Sequence, residues 1–197
     1  MSTQISLDQV KELRDETGIS VMQCRKALED ANGDKEKALI LLKKKGAEIS
    51  AKKSDRSLGA GIISAYIHAG GAIGSMIELA CETDFVAKNE EFVKLAHDIA
   101  MQVSATNPEF RTMDEIGEAD KAKATEIFAE EVVGKPEELK EKILQGKLDA
   151  YFKERVLLDQ PFIKNQDMTI RQLIEGFVQK FGERIEVSRF SRFNVGR

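Results

Sequence analysis

The sequence has no tryptophan and, in 197 residues, only two cysteines, two histidines and three prolines. Cys24 and Cys81 stand far apart, so no disulfide framework is expected and the chain suits a reducing cytoplasm. His68 and His97 do not complete a ligand set with them, because none of these side chains shows the close Cys or His spacing of a metal site. Neither cysteine lies in a recognised nucleophile signature. No apolar run is long enough to span a membrane. Residues Met1 to Val10 lack the charged-then-apolar pattern of an export signal. Excess basic charge is missing too. The net charge of −4 argues against a general nucleic-acid binder. The expectation is a cytoplasmic protein with no metal, no cofactor, no catalytic residue, no membrane partner and no direct nucleic-acid partner.

What is present is a well-punctuated helical pattern in a chain 42% hydrophobic and 32% charged, a composition that folds. Ser6 and Gln9 fit a capping box, with Ile5 and Val10 placed to staple across it. Leu7, Val10 and Leu13 line that helix until Gly18. Ser20 and Gln23 fit a second capping box, followed by Val21, Cys24, Ala27, Leu28 and Ala31 on one face. Asp34 caps a third helix with Ala38, Leu41 and Leu42 inward, expected to end at Gly46. Residues 1–46 therefore read as a small three-helix module, 47–58 as a polar linker, and 59–197 as an α+β core. The basic linker residues Lys52, Lys53 and Arg56 lack interleaved aromatics for base stacking. Two apolar runs, Ala60 to His68 and Ile73 to Cys81, meet across Gly70-Gly71 and read as a β-hairpin. No Gly-Lys-Ser/Thr follows those glycines, so they do not read as a phosphate loop.

Beyond the hairpin, Phe92, Leu95, Ala96, Ile99, Ala100 and Val103 recur at helical spacing. Thr112 to Glu115 fits another capping box, near a helical region containing Ile127, Phe128 and Val132 that stops at Gly134. Pro136 opens a helix expected to end at Gly146, with Leu148 to Val156 forming the next. Carboxylate pairs such as Glu130-Glu131 read as solvated surface. Thr169 and Gln172 cap a last helix that ends at Gly182, and Ile185 to Ser188 alternate as a closing strand, most simply added to the hairpin.

The stretch Glu82-Thr83-Asp84-Phe85-Val86-Ala87-Lys88-Asn89 sits at the corner between the second hairpin strand and the long helix. Residue chemistry alone favours a capped helix start whose Phe85 staples into the core. The same residues resemble the signature of the elongation factor Ts family. Three further runs agree with it: Leu13 to Gly18, Met22 to Leu28 with Asn32-Gly33-Asp34, and Leu157 to Lys164. The hairpin residues Tyr66-Ile67-His68 match as well. The resemblance implies that the N-terminal module is ubiquitin-associated-like. It implies a guanine nucleotide exchange factor that promotes GDP release from elongation factor Tu. It makes Thr83, Asp84, Phe85 and Val86 a wedge that dislodges Mg²⁺ from that GTPase, and Arg14, Val21 and Met22 contacts to its nucleotide-binding domain. At this length it implies the short bacterial form, which compensates by forming a homodimer. Two other classes are an adaptor using the helical module and an RNA-associated translation protein.

Overall fold

A computed structural model describes residues 5–129 and 136–196; Glu130, Glu131, Val132 and Gly134 lie outside the described residues. Three helices open the chain: α1 (Leu7–Thr17), α2 (Val21–Asp30) and α3 (Lys35–Lys52). The capping box forms at α1, where Ser6 Oγ accepts the Gln9 N–H at 3.2 Å and Gln9 Oε1 accepts the Ser6 N–H at 3.0 Å. At α2 only half of it forms. Ser20 Oγ accepts the Gln23 N–H, but the Gln23 side chain reaches across to Gln179, 2.6 Å away. The module has its own apolar cluster of Val10, Leu13, Ile19, Cys24, Leu28, Ala38 and Leu42, while Leu41 is exposed.

The third helix does not end at Gly46. It runs on to Lys52, so residues 47–52 are helical and only 53–59 connect to the sheet. Gly46 is a point of close approach: a Cβ there would meet Gln179 Oε1 at 3.2 Å and the Glu175 carbonyl oxygen at 3.3 Å. The missing side chain lets α3 lie against a core helix, α8 (Ile170–Phe181).

Three strands form an antiparallel sheet: β1 (Ala60–Ile67), β2 (Ile73–Cys81) and β5 (Ile185–Asn194) in the order β1-β2-β5. Gly70 and Gly71, at φ +88° and +72°, make the β1–β2 turn in a region that L side chains rarely adopt. One face of the sheet is covered by α5 (Glu90–Thr106) and α8. Phe92, Leu95, Ile99 and Val103 of α5 meet Ile77 and Leu79 of β2, Val187 of β5, and Ile174 and Val178 of α8. A polar thread runs through this core. Ser75 Oγ donates to the Ala100 carbonyl at 2.6 Å. Gln102 Nε2 donates to Gln160 Oε1 and the Pro161 carbonyl, both at 3.1 Å, and its Oε1 accepts the Ile163 N–H at 2.9 Å. Among the described residues the opposite sheet face is largely uncovered. Ile63, Ile67, Met76 and Phe193 are exposed there, on cross-strand positions.

A side unit packs α6 (Glu118–Ala129) against α7 (Glu137–Arg155) through Ile116, Ala124, Phe152 and Val156. Two expectations fail here. Thr112 makes no cap; Glu115 instead accepts the Arg111 N–H at 2.7 Å, and the helix starts at Glu118. Gly146 does not divide α7, since an isolated glycine costs a helix about 1 kcal/mol without ending it. A short hairpin, β3 (Pro161–Phe162) with β4 (Asn165–Thr169), leads into the capping box of α8, where Thr169 and Gln172 bond reciprocally.

Candidate functional site

The corner after β2 is built from two successive helix starts. Thr83 caps α4 (Asp84–Ala87), its Oγ1 accepting the Val86 N–H at 3.5 Å. Asn89 caps α5, its Oδ1 accepting the Glu91 N–H at 2.9 Å. The single turn has one inward side, which Val86 and Ala87 occupy. Val86 is 3% exposed, and Phe85 faces solvent at 81%. The inward staple favoured by local chemistry is therefore corrected: the large ring of Phe85 is uncovered and the smaller Val86 anchors the turn.

The corner is gripped from the far end of α8. Glu183 Oε2 accepts the N–H groups of Glu82 and Thr83 at 3.2 and 3.0 Å, and its Oε1 accepts the Thr83 hydroxyl at 2.6 Å. Glu82 answers in the other direction. Its Oε1 accepts the Arg184 N–H at 2.6 Å, and its carboxylate also takes the Arg56 guanidinium at 3.1 Å. Burial pushes the Glu82 carboxyl up, but the Arg184 N–H and the Arg56 guanidinium outweigh it and hold the group below the usual carboxylate range. The Arg184 side chain donates to the Arg56 carbonyl at 2.7 Å, and Lys53 Nζ to the Gly182 carbonyl at 2.6 Å. Asp84 is exposed and paired with Lys88 at 2.7 Å. That hydrogen bond and the lysine's charge lower its carboxyl, so it is ionised at neutral pH.

Arg14, Val21 and Met22 lie on either side of the corner joining α1 to α2. Arg14 is in the last turn of α1 beside Asp15, and Val21 and Met22 open α2, 51% and 83% exposed. Lys180 of α8 links this corner to the other. Its ammonium pairs with Glu91 at the start of α5, and it lies so close to Gly18 that a Cβ there would be 2.8 Å from Nζ. Lys180 thus lies between Gly18, before α2, and Glu91, in the first turn of α5.

Reactive chemistry is poorly served. Burial pushes the thiols of Cys24 and Cys81 up, away from the thiolate form a nucleophile needs. His68 Nδ1 is 3.3 Å from the Tyr66 hydroxyl on the exposed hairpin. Among the described residues no three His, Cys, Asp or Glu side chains are grouped to hold a metal ion, and no helix is long and apolar enough to cross a membrane. The arrangement offers a surface, with a rigid base and a protruding ring. Sequence reasoning does not find Glu183, whose contacts with the corner span about a hundred residues; only its place after the helix-ending Gly182 marks it.

A sequence model of the family described as Elongation factor TS matches residues 25–197. The chain is 46% identical to the elongation factor Ts of Desulforamulus reducens over 195 residues, covering 98% of this chain and 90% of that one. Its identity to the elongation factor Ts of Moorella thermoacetica is 47% over 194 residues, 98% of this chain and 96% of the relative. That of Thermodesulfovibrio yellowstonii is 49% identical over 194 residues, 98% and 97%.

Proposed function

The chain belongs to the elongation factor Ts family, and from that premise we propose that it is a guanine nucleotide exchange factor, promoting GDP release from elongation factor Tu during translation in the cytoplasm. The task needs no bond chemistry. GDP is held by backbone donors around its phosphates and by Mg²⁺, which offsets phosphate charge. A partner that binds the nucleotide-free GTPase more tightly than the loaded one weakens nucleotide binding by the same factor. A wedge that shifts the groups holding Mg²⁺ is sufficient.

The observation that carries this reading is the exposure of Phe85, 81%, on a turn whose base is fixed. An uncovered ring held on a fixed turn is surface that a partner can bury. In this reading Phe85 enters between elements of the GTPase and Asp84, ionised, perturbs the Mg²⁺ surroundings. Thr83 and Val86 hold the turn. Arg14, Val21 and Met22 dock the N-terminal module on the nucleotide-binding domain. Lys180, next to both Gly18 and Glu91, is consistent with one encounter engaging both docking module and wedge.

The largely uncovered face of the sheet, with Ile63, Ile67, Met76 and Phe193, is the surface for a further contact. A homodimer that covers it, beside the edge strand β1, is part of the proposal, and sedimentation across a concentration series tests it. The central test is release of labelled GDP from the cognate GTPase with catalytic amounts of the protein. Accelerated release is expected. An unchanged rate overturns the proposal and favours an adaptor or an RNA-associated role.

A further inference from the structure

We propose that Glu183 is the positioning residue of the wedge: it acts through Thr83 to aim Phe85, and it touches neither nucleotide nor GTPase. The proposal rests on the wedge reading above. Three observations carry it. First, the corner lies beyond the sheet, because the pairing of β2 with β5 ends at Cys81 opposite Ile185. The N–H groups of Glu82 and Thr83 therefore have no ladder partner, and Glu183 supplies their acceptor. Second, α4 spans only Asp84–Ala87, and a single turn does not hold its own direction in water. Its backbone bonds are few: Ala87 N–H to the Thr83 carbonyl at 3.2 Å, Lys88 N–H to the Asp84 carbonyl at 3.1 Å and Asn89 N–H to the Val86 carbonyl at 3.0 Å. Val86 and Ala87 in the core fix one side of the turn, Cys81 Sγ donates to the Thr83 carbonyl at 3.2 Å, and the Glu183 carboxylate grips the N–H and hydroxyl of the capping Thr83 from the far end of α8. Third, Glu183 itself is delivered by a rigid body. It follows Gly182, the left-handed residue (φ 72°) that closes α8, and Lys53 holds the Gly182 carbonyl at 2.6 Å. The cap of α8 and the aim of Phe85 are thus one construction.

The test is a double-mutant cycle of Glu183→Ala and Phe85→Ala, read as GDP-release rate at saturating factor, half-saturating concentration, and circular dichroism of each variant. Loss of charge-assisted hydrogen bonds to the corner should slow the saturating rate roughly tenfold while the helical content is kept. In the Phe85→Ala background, Glu183→Ala should have no further effect. Glu183→Gln should recover the rate, because its amide oxygen accepts both N–H groups and its NH₂ donates to the Thr83 hydroxyl. Glu183→Asp, one methylene short, should not. A full rate for Glu183→Ala, or effects of the two substitutions that multiply, overturns the proposal while leaving the wedge intact. An unchanged rate for Phe85→Ala alone defeats the wedge reading, and this proposal falls with it. If Glu183→Ala does not fold, the Gln and Asp variants decide: equal rates for the two overturn it.

Discussion

Phe85→Ala separates a wedge from a core residue by magnitude. With 81% of the side chain exposed, about a fifth of its surface is withdrawn from water. Full burial of a phenylalanine side chain stabilises by about 1.5–3 kcal/mol, so the native contact here is worth roughly 0.3–0.6 kcal/mol. Alanine is also the better helix former, by about half a kcal/mol, which offsets most of that loss. The expected change in unfolding free energy is therefore within about 0.5 kcal/mol of zero by urea titration. Phe92, on the adjoining helix and 0% exposed, is the internal control, and its truncation to alanine should cost about 3–5 kcal/mol. GDP release from the GTPase reads the other axis. Phe85→Ala should lose most of the acceleration at unchanged stability. A stability loss above about 2 kcal/mol would show that the ring contributes to the fold, and full exchange activity would show that it is idle.

At Gly46, alanine should be tolerated to within about 1 kcal/mol, because helix propensity offsets a contact that the flexible Gln179 side chain can yield; leucine should cost about 1–3 kcal/mol by forcing α3 from the Glu175 carbonyl, both read by urea titration. Gln102→Leu should destabilise by about 1–3 kcal/mol in the same measurement, since it removes the donor to the buried Gln160 Oε1 and the partner of the part-buried Ile163 N–H and Pro161 carbonyl. Glu175 is raised by burial, against the opposing charge of Arg171. A raised carboxyl ionises first in the unfolded chain, so the penalty is absent below the unfolded value, grows as pH rises, and is complete above the folded value. Glu175→Gln should therefore raise the Tm at neutral pH and leave it unchanged in acid; a lower Tm at neutral pH would refute the burial cost.

The sequence makes legible what is decided within a few residues. Ser6 with Gln9 and Thr169 with Gln172 fix helix starts by bonds three residues long, and both capping boxes form. The hairpin across Gly70-Gly71 and the strand added after Gly182 follow from alternation and turn chemistry. What escapes is set by distant partners. Gln23 abandons its own capping box for Gln179. Gly46 has the look of a stop, yet its use depends on where α8 lies. The direction of Phe85 is the sharpest case. Periodicity cannot choose between Phe85 and Val86 on a one-turn helix, and the small residue went inward. The family signature marks these residues as special, but it does not reveal the carboxylate beneath them.

That carboxylate also sets a timetable. The clamp on Thr83 lies 100 residues further along the chain. At about 5–20 residues per second, a ribosome needs roughly 5–20 s to travel between the two. The N-terminal cluster, from Val10 to Leu42, closes on contacts close in sequence and is complete early. A nascent chain therefore carries a finished three-helix cluster before the grip on Thr83 exists. A chain truncated just before residue 183 should retain the three-helix cluster while Phe85 samples many directions, which ring resonances in NMR would report.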